Sequence, residues 1–158
     1  MTALRVATPA DAETILGFIQ ALADYENESD AVEVDAATLR AQLAESPQPF
    51  ECLIASRDGR DVGFALFFHN YSTWRGRRGI WLEDLFVLPA QRGRGVGKAL
   101  LSRVAAIARE RDCARLEWAV LDWNQPAIDF YRSIGAAAQH EWTTHRVTGD
   151  ALAKLAGG

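Results

Sequence analysis

Gln91-Arg92-Gly93-Arg94-Gly95-Val96-Gly97 is the stretch around which the chain reads. It lies between an apolar, strand-like segment, Ile80 to Leu88, and a segment of helical spacing that runs to about Arg111. Glycine-rich backbone at a strand-to-helix junction leaves several N–H groups unpaired and converging on one concavity, where the positive end of the helix dipole also sits. Such a place binds a phosphate-bearing ligand. A nucleotide P-loop needs Gly, four residues, then Gly-Lys-Ser/Thr. Here Gly97-Lys98 is followed by Ala99, and the first glycine is misplaced. A dinucleotide fold needs Gly-x-Gly-x-x-Gly early in a parallel βαβ unit, whereas Gly93-x-Gly95-x-Gly97 is spaced differently and lies mid-chain. The bland alternative is a glycine-rich turn with arginines in solvent.

Working outward, Leu4 to Ala7 reads as a short strand, and Thr8-Pro9-Ala10-Asp11 as a capped helix start. Ile15, Phe18, Ile19 and Leu22 recur at helical spacing, so the first helix buries one face and ends near Tyr25. Glu26 to Glu33 is acidic and aperiodic. Asp35 caps a second helix carrying Leu39 and Leu43, which Ser46-Pro47-Gln48-Pro49 breaks. Phe50 to Ser56 and Val62 to Phe68 are strands joined by an Asp58-Gly59 hairpin turn. Ser72 to Gly79 reads as a basic loop around Trp74. Beyond the glycine turn, Leu100, Leu101, Val104, Ile107 and Ala108 mark an amphipathic helix. Leu116 to Leu121 is then a strand parallel to Ile80–Leu88, because a helix crosses between them. Asn124 caps a helix with Pro126 in its first turn, and Gly135 ends it. Ala136 to Val147 reads as one or two last strands, and Asp150 to Ala156 as a short helix. The order predicts an α/β (α+β) fold: a mixed, mostly antiparallel sheet with helices on both faces.

One domain, residues 1–158, accommodates this length with a sizeable core. No apolar run reaches the ~18 residues of a membrane span, and the N-terminus lacks the form of a signal peptide. The formal charge of −4 speaks against general nucleic-acid binding. Cys52 and Cys113 have no metal-ligand spacing and sit beside apolar segments, as free thiols do. No metal and a cytoplasmic location are the expectations.

Three stretches carry a resemblance. Arg92-Gly93-Arg94-Gly95-Val96-Gly97 meets Arg/Gln-x-x-Gly-x-Gly/Ala, the pyrophosphate loop of coenzyme-A-dependent N-acetyltransferases. Asn124-Gln125-Pro126-Ala127-Ile128-Asp129-Phe130-Tyr131-x-x-x-Gly135 resembles a second signature of the same GNAT superfamily, one strand and one loop after the first. Leu82-Glu83-Asp84-Leu85-Phe86-Val87, Glu117 to Asn124, and Leu22-Ala23-Asp24-Tyr25-Glu26 look like its diamine (spermidine/spermine) and thialysine acetyltransferase branch. The likeness covers roughly Arg5 to Lys154. It implies a GNAT fold whose sheet splays between two central strands, a homodimer, and acetyl transfer from acetyl-CoA to the primary amine of a small molecule by direct attack in a ternary complex. The alternatives are a protein lysine or N-terminal acetyltransferase, or a non-catalytic acyl-CoA sensor.

That reaction needs a neutral amine, a donor for the developing oxyanion, a proton for the departing thiolate, and both substrates held together. Glu83 and Asp84 are acids inside an otherwise apolar strand, where an unpartnered carboxylate is costly. In a regular strand they face opposite sides; a β-bulge turns both towards one cleft. One exposed acid plus one structural ion pair is the competing reading. The resemblance assigns proton acceptance to Glu83 and amine binding to Asp84. Tyr131, on residue type alone, is a core tyrosine with a bonded hydroxyl; the resemblance makes it the proton donor to the thiolate of coenzyme A. It also implies that Asn124 and the backbone of Leu85, Phe86 and Val87 bind the pantetheine arm, with the Val87 N–H as an oxyanion donor. Arg92, Gly93, Arg94, Gly95, Val96, Gly97 and Lys98 then serve the phosphates. Tyr25, Glu26 and Glu28 roof the acceptor site, with Trp74 shaping it or packing on a dimer mate. A Trp74 loop near the acceptor mouth would, being basic, repel a long polycation and favour a short or carboxylate-bearing amine. His69, His140 and His145 are scattered and carry no assigned role, and neither cysteine has an evident histidine partner for a covalent route.

Overall fold

A computed structural model describes all 158 residues. The chain forms two compact units, Met1–Ala119 and Val120–Gly158.

The first unit holds a five-stranded sheet in the order β1-β2-β3-β4-β5: Thr2–Val6, Glu51–Arg57, Arg60–Ser72, Arg77–Val87 and Leu116–Glu117. The first four strands pair antiparallel, and β5 pairs parallel with β4. The β2–β3 turn is the expected one: Asp58 and Gly59 have φ of 50° and 73°, the two positive values of a twist-matched hairpin. Asp11 accepts the Thr8 N–H at 2.8 Å and opens α1, Ala12–Tyr25. Asp35 accepts the Thr38 N–H at 2.8 Å and opens α2, Ala36–Leu43. These helices cover one face of the sheet, packing Ile15, Phe18, Leu39 and Leu43 on Cys52, Ile54, Phe64, Leu66 and Phe86. Phe18 stacks on Phe64 with centroids 5.4 Å apart. The alternate strand residues Leu53, Ala65, Phe67 and Leu82 are buried outside that cluster, on the face taken by α3, Val96–Glu110.

Two boundaries differ from expectation. Half of the basic loop is strand, since the β3–β4 ladder runs on until Ser72 faces Arg77. Only residues 73–76 turn, and Trp74 stands 87% exposed at the tip. The strand expected over Leu116 to Leu121 pairs at two positions only, Ile80 with Leu116 and Trp81 with Glu117. Past Trp81, β4 therefore has no strand partner on that side, which is the expected splay.

The second unit holds α4, Gln125–Ser133, and α5, Gly149–Leu155. Asn124 caps α4, its side chain accepting the Ala127 N–H at 3.4 Å, and Gly135 follows the helix with φ 91°. The strands expected over Ala136 to Val147 do not form. That segment makes turn bonds such as Trp142 N–H to the Gln139 carbonyl at 3.2 Å, and no ladder. An extended segment makes a strand only where a neighbouring edge takes up its peptide groups.

Candidate active site

The site begins with one extra residue in β4. Leu66 of β3 faces Asp84, and the next β3 residue, Phe67, faces Leu82, leaving Glu83 unopposed. This is a β-bulge. It flips the alternation, so Leu82 points to the α3 face while Asp84 and Phe86 point to the α1 face with Leu66. Both acids thereby reach one pocket of about 420 Å³. Its apolar wall is Ile19, Leu22 and Ala23 of α1 with Ala31, Val32 and Val34 of the α1–α2 connection. Glu26, Glu28 and Glu33 complete the lining with Glu83 and Asp84, and no Lys, Arg or His is among these residues.

None of the five carboxylates is neutralised by an ion pair. Asp84 consequently has its carboxyl pushed up to about 6, by burial first and then by the charges of Glu83 and Glu26. Burial, helped by Glu28, also raises Glu26. Glu83 is exposed and oriented, its Oε2 accepting the Trp81 indole N–H at 2.9 Å. Residue type did not single out Trp81. The available signal was its i, i+2 spacing from Glu83, together with the need of a half-buried indole for an acceptor.

Tyr25 and Trp74 do not line this pocket. Tyr25 stands beside it, its ring 4.7 Å from the Arg92 guanidinium carbon. Trp74 lies beyond the Ser72–Arg77 pair, roughly 20 Å along the hairpin from the Leu66–Asp84 pair. Exposed charges at that separation are screened, because the Debye length at physiological salt is about 8 Å. Within the chain, the basic tip thus gives no ground for excluding a polycation.

The glycine turn follows β4 at once. Gly93 and Gly95 have φ of 75° and 79°, where a side chain is strained, and open space lies where their Cβ atoms would be. A Cβ on Gly97 would meet only Val87 Cγ2, at 3.8 Å. No side chain caps α3, so its first-turn N–H groups lack intrahelical partners. A bare, open turn at a 15-residue helix fits a diphosphate. Arg94 and Lys98 are exposed beside it. Arg92 is instead tied into the fold: its Nε donates to the Val87 carbonyl at 2.9 Å, and its guanidinium also faces the Phe86 ring at 5.3 Å.

The open edge of β4 is equally specific. Leu88 N–H donates to the Val62 carbonyl at 2.8 Å, so Leu88 and Phe86 direct their peptide groups to β3. Leu85 and Val87 direct theirs away from it. Of the three residues expected to pair with an extended ligand, Phe86 has its backbone committed to the sheet.

In the second unit, Asn124 is buried and Tyr131 half-buried, the Tyr131 ring 5.7 Å from that of Phe130. Cys113 does have a histidine neighbour, with Sγ 3.9 Å from His69 Nδ1. Nδ1 is also 3.1 Å from the Gly79 carbonyl, so it carries the proton, and Nε2 accepts from Arg111 at 2.9 Å. Both ring nitrogens of His69 are thus engaged by groups other than the thiol. Burial pushes the Cys52 thiol up to about 12. No group of three or more His, Cys, Asp and Glu side chains is arranged to hold a metal ion, and no helix is long and apolar enough to cross a membrane.

The pattern of the Acetyltransferase (GNAT) family matches residues 15–136. The chain belongs to the GNAT acetyltransferases. It is 40% identical over 166 aligned positions to the thialysine N-epsilon-acetyltransferase of Bos taurus, covering 98% of this chain and 96% of that one. It is 46% identical over 91 positions to the L-ornithine N5-acetyltransferase of Arabidopsis thaliana, covering 58% and 40%. Among solved structures, the integron cassette protein VCH_CASS6 of V. cholerae superposes with a TM-score of 0.82 at 25% identity, over 99% of this chain and 98% of that one. The protein is therefore a GNAT N-acetyltransferase, of a family that uses acetyl-CoA, with relatives named for small-molecule amines.

Proposed function

We propose that this acetyltransferase moves the acetyl group of acetyl-CoA to the terminal primary amine of a short alkylamine, by direct attack in a ternary complex. The observation that carries the reading is the acid-lined pocket, where Glu83 and Asp84 meet Glu26, Glu28 and Glu33 with no basic side chain. Such a pocket selects a cation with an apolar stem. An α-carboxylate, in an acceptor of the thialysine or ornithine type, lies outside it.

In this reading the ammonium group enters against Asp84, whose carboxyl ionises more readily once the cation offsets the cost of burial. Glu83, held by Trp81, takes the proton that must leave before nitrogen can attack, directly or through water. Nitrogen then bonds to the thioester carbon and the carbon–sulfur bond breaks; the thiolate takes a proton, which the family resemblance assigns to Tyr131, and the proton that nitrogen sheds on becoming an amide returns through water to the phenolate. Val87 N–H supports the oxyanion, and the outward peptide groups of Leu85 and Val87 hold the pantetheine arm; a contact of Asn124 with that arm rests on the family resemblance alone. The amides of residues 93–97, with Arg94 and Lys98, hold the diphosphate. A single cytoplasmic domain belongs to the same reading and rests on length and composition, and a homodimer rests on the family resemblance; sedimentation of the purified protein checks the dimer.

The test is thiol release from acetyl-CoA with thialysine, ornithine, lysine, 1,3-diaminopropane and spermidine. Turnover of at least one short terminal amine is expected. Binding of acetyl-CoA without transfer to any of them would favour the acyl-CoA sensor instead. Tyr131→Phe should lower turnover about tenfold to a thousandfold, the usual range of a general acid, with coenzyme A affinity nearly unchanged.

A further inference from the structure

Arg92 belongs to the glycine turn by sequence, yet its side chain is spent elsewhere. Its Nε donates to the Val87 carbonyl at 2.9 Å, and its guanidinium faces the rings of Tyr25 and Phe86 at 4.7 and 5.3 Å. The other end of the Val87–Leu88 peptide is held as well, Leu88 N–H donating to the Val62 carbonyl. One planar cation therefore joins three pieces of chain: the turn that opens α3, the end of β4, and the last residue of α1.

Each piece leads to a substrate site. Gly93 follows Arg92 directly. Phe86 lies two residues beyond Asp84 on the same face of β4. Glu26 follows Tyr25 and lines the acid pocket. The segment after Tyr25 is tied to the end of α1, Glu26 N–H donating to the Leu22 carbonyl at 2.9 Å, Asn27 N–H to the Asp24 carbonyl at 3.2 Å, Glu28 N–H to the Ala23 carbonyl at 2.8 Å and Gln20 Nε2 to the Ser29 carbonyl at 3.0 Å, so it follows the helix end that Tyr25 closes. Fixing the turn fixes Arg92, fixing Arg92 fixes the Tyr25 ring, and the pocket wall that begins at Glu26 is ordered with it. Ordering contributed by one ligand need not be supplied by the next, which is positive coupling.

We infer that Arg92 is a positioning residue whose guanidinium, bridging Tyr25, Phe86 and the Val87 carbonyl, couples the glycine turn to the acid pocket so that coenzyme and amine strengthen each other's binding. The inference rests on the proposed function of the two sites. Lysine cannot replace Arg92 in this role: a compact ammonium keeps the charge but cannot donate to Val87 while facing two rings.

Calorimetric titrations of the full chain with coenzyme A and thialysine, which together cannot react, read the coupling. Saturating coenzyme A should tighten thialysine binding at least about fivefold, within the usual range of coupling between sites, and the reciprocal factor should match. Arg92→Lys should bring the factor within twofold of unity while coenzyme A alone binds within about threefold of the parent. Tyr25→Leu should do the same from the other side, the double variant should add nothing further, and Tyr25→Phe should restore the factor because the ring remains. Full coupling retained in Arg92→Lys or in Tyr25→Leu would overturn the inference. So would a parent protein that binds both ligands independently, although that result leaves the proposed function standing. Failure of the parent to bind either ligand would remove both, and thermal unfolding of each variant identifies any that has lost its fold.

Discussion

The acid pocket and the glycine turn are adjoining binding regions of opposite design. The pocket is built from carboxylates without a basic partner: Asp84 is pushed up to about 6 by burial and by its acidic neighbours, and burial raises Glu26 as well. The turn is built from residues that have no side chain, with φ of 75° and 79° at Gly93 and Gly95 and empty space above them. One region stores unfavourable electrostatics that a cation relieves; the other leaves peptide dipoles unpaired for an anion. The first should answer to pH and to isosteric charge removal. The second should answer to backbone substitution and be indifferent to pH.

The largest effect expected from separating the two is that of Glu83→Gln. It removes the proposed proton acceptor while keeping shape, so kcat/KM for the amine should fall about 10²- to 10⁴-fold, with coenzyme A affinity within threefold by calorimetry. Gly95→Ala strikes the other region. A side chain in the left-handed region costs about 1–2 kcal/mol, and coenzyme A should bind roughly tenfold more weakly while kcat at saturation stays near the parent's. If that variant instead shifts the pH profile of amine use, the two regions are not distinct in the way described.

Asp84→Asn should produce a smaller and two-sided effect. The folded-state pKa of Asp84, about 6, lies above its ordinary value of 3.8. The folded protein thus binds this proton more tightly than the unfolded chain, and the cost of the ionised form grows as pH rises from about 4 to about 6. At ~1.4 kcal/mol per pKa unit, that cost is on the order of 1–3 kcal/mol above pH 6 and absent below pH 4. Denaturant unfolding should find Asp84→Asn more stable than the parent at pH 8 and equal to it at pH 4. Amine kcat/KM should fall at pH 8, and the parent should lose it as pH drops through 6. Gly97→Ala should give the smallest change. Its Cβ meets only Val87 Cγ2, so the first turn of α3 should gain about 0.5–1 kcal/mol of stability. Coenzyme A affinity should fall severalfold if the amides there approach a diphosphate closely.

Features written in local chemistry were legible in the sequence. The Asp35 cap, the Asp58-Gly59 turn, the Asn124 cap and the glycine turn each depend on a few consecutive residues whose side chains or φ values determine the outcome. The pairing of Glu83 with Asp84 was legible as an anomaly, two acids in an apolar strand, with a β-bulge as one of two readings. The bulge that resolves it is a register shift against Leu66 and Phe67, and register belongs to the partner strand as much as to β4. The same reason hid the true start of β4 at Arg77, since polar residues join a ladder when the opposite strand continues. The stacking of Arg92 on Tyr25 joins residues 67 positions apart by a tertiary contact that no periodicity reports. The His69 neighbour of Cys113 was missed likewise. The tail from Ala136 to Val147 reads as strand but has no paired edge that would make it one.

The account stands most directly on where two ligands sit. A crystal structure of the chain with coenzyme A and thialysine should place the diphosphate on the amides of residues 93–97. It should place the terminal amine within hydrogen-bond distance of Glu83 or Asp84. A nucleotide lodged away from that turn, or an amine nitrogen bound outside the acid pocket, would contradict it.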